Sequence, residues 1–168
     1  TTNDPAFTLY SSYTGSIGPM FKMKANSASP AANDILGTVK WSGENSSSGE
    51  IDYTSIKGVI LSPTASSEIG KTAFDVYSAG SVTTALELIG SATSGESIVD
   101  IKDHDGSASG LALSGTVVTS TAAELNLLDG GTSATSTTLV DADRIIVNDN
   151  GTMVQVALSD LKTYTGSG

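Results

Sequence analysis

The stretch best equipped for chemistry is Asp100-Ile101-Lys102-Asp103-His104-Asp105-Gly106. Calcium takes several oxygen ligands, and closely spaced aspartates ahead of a glycine can supply them. The spacing is wrong for an EF-hand, since no Asp-x-Asp-x-Asp-Gly run is present and no glutamate closes the loop. A hairpin turn accounts for the segment with fewer assumptions. His104 is the only histidine and reads as an exposed turn residue. There is no cysteine, which excludes disulfides, thiolate metal sites and a cysteine nucleophile.

Glu124 follows Thr121 at capping-box spacing, so a helix start explains it without catalysis. A glycosidase would need two carboxylates facing each other across a sugar groove lined with aromatics. The single tryptophan and five tyrosines fall on separate strand candidates and do not assemble such a groove. Trp41 and Tyr53 are expected to pack within a sheet. No nucleophile elbow, phosphate loop or Ser/His/Asp grouping is present. No catalytic residue, cofactor or metal ligand is therefore assigned, and the chain does not read as an enzyme.

The elements that would carry these residues are mostly strands. Phe7–Tyr10, Met20–Lys24, Ile35–Ser42, Ile51–Leu61, Thr72–Ser78 and Val82–Ile89 alternate or run apolar between polar, glycine-bearing breaks. Val39 with Trp41, and Phe74 with Val76, fall on common faces by the period of two. Gly58 marks a candidate bulge. Residues 1–90 thus read as one antiparallel module, a sandwich or prism-like sheet. Past Gly90 the apolar pieces shorten (Ile98 to Ile101, Leu111 to Leu113, Thr116 to Val118), and strands this short rarely form a sheet alone.

Residues 91–131 read as a short-strand shaft segment ending in a helix. Ser120 or Thr121 can cap it, Leu125, Leu127 and Leu128 give it an apolar side, and Asp129-Gly130-Gly131 ends it. About two turns is well below the roughly 12 to 15 residues an isolated helix needs in water. The flanking chain offers little apolar mass, so packing against the same element of neighbouring subunits is expected. Residues 132–168 read as a hairpin turning at Asn150-Gly151, then a helix over Leu158 to Tyr164 with Ser159 as a plausible cap.

Charge and composition narrow the partners. A formal charge of −10 with no Lys/Arg cluster disfavours nucleic acid and anionic membranes. No apolar run approaches the roughly 18 residues of a membrane-spanning helix. Hydrophobic residues make up 38% and recur in alternating runs, which argues against disorder. Only 5% are aromatic, a poor supply for a conventional core. A thin β-rich structure that buries its apolar side between chains fits that composition. The missing initiator methionine at Thr1 and the Thr-Gly-Ser-Gly ending suggest a piece of something longer.

The phrase VTSTAAELNLLDG, Val118 to Gly130, resembles a motif recurring in fibre and other virion structural proteins of tailed bacteriophages. Ser27 to Gly37 (SASPAANDILG), followed by Gly43-Glu44-Asn45, is similar to a "SASPADNDVLG…GEN" module of such fibres. Arg144 to Thr165 (RIIVNDNGTMVQVALSDLKTYT) resembles a module found late in their repeats. The resemblance implies a mainly β, modular, intertwined trimeric fibre with one or two short helices. It further implies a structural virion protein, a tail-fibre shaft or spacer acting in host attachment. Its partners would be itself as a homotrimer, other virion proteins, and a host surface receptor or glycan, with no membrane insertion. The alternatives are a head fibre or capsid decoration protein, a host-surface adhesin module, and, as an enzyme, a depolymerase spike. Leu111, Leu113, Leu125, Leu127 and Leu128 are the residues expected between chains.

Overall fold

The computed structural model describes residues 7–10, 12, 15, 18–127 and 137–166. The chain divides into two compact units, residues 1–121 and 122–168.

The first unit is built on a five-stranded antiparallel meander: β1 (Ile35–Glu44), β2 (Glu50–Ser62), β3 (Ile69–Ser78), β4 (Ser81–Gly90) and β5 (Ser97–Ile101), in that spatial order. β3 and β4 are joined by Ala79-Gly80, with φ +48° and +89°. Positive φ at both central residues is what a type I′ turn requires, and its twist matches that of the flanking strands. A two-stranded ribbon follows, β6 (Ala112–Leu113) and β7 (Thr116–Val117), turning at Ser114-Gly115 with φ +50° and +81°.

Two expectations change here. The described residues before Ile35 hold no strand, although Phe7–Tyr10 and Met20–Lys24 alternate well. Alternation supplies a face but not a hydrogen-bonding partner, and neither segment has a ladder partner among the described residues. Conversely, Ser97–Ile101 does not belong to a separate short-strand segment. Its register runs from Leu86↔Ile101 to Gly90↔Ser97, making it the edge of the main sheet. The layer is a single sheet.

Bulges set which side chains share a face. The register steps over Leu36 in β1, over Tyr53 and Leu61 in β2, and over Ala85 in β4. Gly58 lies opposite the first of these, so the irregularity is in the facing strand. Each extra residue shifts the alternation by one, because side-chain direction has a period of two.

In the second unit, α1 (Ala122–Asn126) is shorter than the two turns expected. Its start places Thr121 at the N-cap position and Glu124 three residues on. β8 (Arg144–Asp149) and β9 (Thr152–Ala157) form the expected hairpin. Asn150 and Gly151 have φ +49° and +95°, and the Gly151 amide donates to Asn148 Oδ1 at 2.7 Å. α2 (Leu158–Gly166) starts one residue before Ser159 and packs against β9. Its first amides are received by backbone carbonyls: Leu158 N–H donates to Asp143 at 2.8 Å, and Ser159 N–H to Asp141 at 3.2 Å. Ser159 therefore lies in the helix's first turn, while Asp143 also folds its own turn by accepting from Val140 N–H at 2.9 Å. No described helix is long and apolar enough to cross a membrane.

Candidate functional site

Directly paired residues of an antiparallel sheet point to the same side. The register therefore sorts the main sheet into two unlike faces.

One face is charged. Lys57, Ala73, Glu87 and Asp100 form one row across it, and Lys40, Ser55, Asp75 and Thr84 another. Its cations and carboxylates pair off: Lys57 Nζ with Asp75 at 2.8 Å, Lys71 with Glu87 at 2.5 Å, and Lys102 with Asp100 at 2.9 Å and Glu87 at 3.7 Å. Lys40 meets Asp52 at 2.6 Å near the exposed edge, holding the Asp52 carboxyl below its usual range. Asp75 also accepts from Thr84 Oγ1 at 2.7 Å and Ser55 Oγ at 3.1 Å. Burial pushes the Asp75 carboxyl up, but the bonds from Lys57, Thr84 and Ser55 together outweigh it and hold the group below its ordinary value. Asp75 and Glu87 are buried, and so are Val59 and Ala73, the only buried apolar residues described.

The other face is apolar. Val39, Ile56, Phe74, Leu86 and Ile101 form a row that crosses all five strands. On one side of it lie Trp41, Thr54, Val76 and Thr83; on the other Gly37, Gly58, Thr72, Leu88 and Val99. Thr54 turns its hydroxyl to the Asp75 carbonyl at 2.7 Å, so that group needs no partner beyond the sheet. Met23 sits over Gly37, where its Cβ is 2.9 Å from the place a Cβ would occupy. Most of the face remains open: Trp41 is 50% exposed, Leu88 42% and Val99 66%. The expectation that Trp41 and Tyr53 are packed within the sheet is not met in the single chain, since Tyr53 is 45% exposed. Tyr53 stacks edge-on with Tyr77, ring centroids 6.2 Å apart. At the bulged end of the sheet, Pro30, Leu36, Val59, Ile60, Pro63 and Ile69 line an open recess of about 350 Å³.

The Asp100–Gly106 segment is a connection between two sheets, not a hairpin, because β5 pairs with β4 and β6 with β7. Its acids work locally. Asp105 Oδ1 accepts from the amides of Ser109, Ser107 and Ala108 at 2.8 to 3.0 Å, which lowers its carboxyl to about 2. His104 is half-buried: Nδ1 accepts from Leu111 N–H at 3.3 Å, so the ring proton sits on Nε2, which donates to Ser120 O at 3.0 Å. Gly110, at φ +112°, lies so close that a Cβ there would come within 2.6 Å of His104 Cα. The imidazole thus clasps the loop to the chain leaving β7, a role that sequence spacing did not disclose. No group of three or more His, Cys, Asp or Glu among the described residues is placed to hold a metal.

The leucines expected between chains are scattered. Leu111 and Leu113 flank or enter β6, with Leu113 64% exposed. Leu125 and Leu127 are exposed at α1 in the other unit, and Leu128 lies outside the described residues. The apolar row of the main sheet was signalled in the sequence only in part, by the pairs Val39/Trp41 and Phe74/Val76. No family model, curated protein or solved structure matches the chain.

Proposed function

We propose that the chain is a structural segment of a homotrimeric bacteriophage fibre, a shaft or spacer that links the virion to the part contacting the host. Its work is mechanical, with no chemical step. What carries this reading is how little apolar residue is buried among the described residues: Val59 and Ala73, beside the charged Asp75 and Glu87. A folded sheet must offset the entropy of folding by burying apolar surface somewhere. Identical chains closing around an axis can share one core and supply that burial. The likeness of Val118 to Gly130 to fibre modules supports the location.

Antibody labelling of phage particles that carry this chain, viewed by electron microscopy, tests the location. Label along the tail fibres is expected. Label on the head would move the chain to a head fibre or decoration protein, and unlabelled particles would remove it from the virion. Release of sugar from host polysaccharide by the purified chain would contradict a purely mechanical role.

A further inference from the structure

We infer that the apolar face of the five-stranded sheet is where identical chains meet, each copy turning this face toward a common axis. The number of chains is carried over from the fibre reading; the surface they share is what the sheet adds to it.

The occupant is argued from size, charge and composition. Five strands spaced about 4.8 Å apart, with about five residues of each in the three uncharged rows rising about 3.4 Å, present a face on the order of 400 Å². A stable interface takes about 800 Å² from each partner. The face supplies about half of that and is much too large for a single inserted side chain. Every residue in its rows is uncharged, from Val39, Ile56, Phe74, Leu86 and Ile101 to the flanking Trp41, Val76, Leu88 and Val99. Copies that each carry −10 can meet there without opposing like charges, whereas the reverse face presents fixed lysines and carboxylates. An acidic or basic partner would find nothing to pair with. Uncharged faces of identical copies can close together around an axis and share one core without opposing charges.

The chain has no cysteine, so an introduced one is unique. Val76→Cys lies on the apolar side of the central strand; Ile98→Cys, paired with Ile89, lies on the charged side. With a short bismaleimide in dilute solution, Val76→Cys is expected to link chains at least about tenfold more than Ile98→Cys, since packed faces lie within reach of the linker. Leu88→Glu is expected to abolish assembly and with it the cooperative unfolding transition, and Leu113→Glu to leave both the assembled mass and that transition unchanged. Assembly that survives Leu88→Glu but is lost with Leu113→Glu would overturn this face as the interface and leave the multi-chain reading standing. A monomeric parent chain whose Val76→Cys resists maleimide would mean that the face is covered from within one chain, or by another protein, and would overturn both.

Discussion

At the scale of single residues, the charged face turns on Asp75. Its carboxylate is buried and receives Lys57, Thr84 and Ser55, so removing it strands a lysine and two hydroxyls at once. Asp75→Ala is expected to cost about 2 kcal/mol, below the range for a fully buried pair because Lys57 keeps a solvent-facing side. Urea unfolding of the full chain checks this, with Asp52→Ala, whose pair with Lys40 is solvent-exposed, changing the midpoint little. Because the folded Asp75 carboxyl lies below its ordinary value, its stabilisation is present above that value and is lost as pH falls through the lowered one. Asp105 has the same sign with a defined window. The amides of Ser107, Ala108 and Ser109 should titrate by NMR near pH 2, not at the ordinary 3.8, and a midpoint at 3.8 would remove the carboxylate from the loop. Asp105 binds its own loop backbone and Asp100 pairs with Lys102, which is why a metal-like spelling came without a metal-like arrangement.

At the scale of elements, turn chemistry was the most legible feature. Asn150-Gly151 named its own hairpin, and Ala79-Gly80 marked the break between β3 and β4. Ala79 nonetheless pays for a left-handed φ of +48° that asparagine tolerates better. Ala79→Asn is therefore expected to raise the thermal midpoint by stabilising the fold by about 0.5 kcal/mol, and a lower midpoint would contradict the type I′ assignment. Strand membership was less legible. Phe7–Tyr10 and Ser97–Ile101 look alike as patterns, yet only the second finds a neighbour, because pairing depends on a partner remote in sequence. Face assignment was legible only between bulges. Ile35, Val39 and Trp41 share parity, but the extra residue at Leu36 moves Ile35 to the charged side, opposite Val59. Leu111, Leu113, Leu125 and Leu127 are apolar and local in sequence, whereas the continuous apolar row is assembled from five strands and shows only in the register.

At the scale of the whole molecule, the proposed fibre places the core of this protein between chains. The charged face satisfies itself internally, and no buried side-chain polar atom described lacks a partner. The apolar face has no comparable closure within the described part of its own unit, as the exposure of Trp41, Leu88 and Val99 records. Burying side chains of this size is worth roughly 1.5 to 3 kcal/mol each when complete, so a neighbour covering them would add substantially to stability. Stability should accordingly depend on protein concentration, as it does whenever folding and assembly are coupled. Sedimentation equilibrium of the full chain, read as solution mass, is the sharpest check. Three chains of 16.9 kDa in one particle, held together at low micromolar concentration, are expected. A stable, cooperatively folded monomer at the same concentration would contradict the shared core.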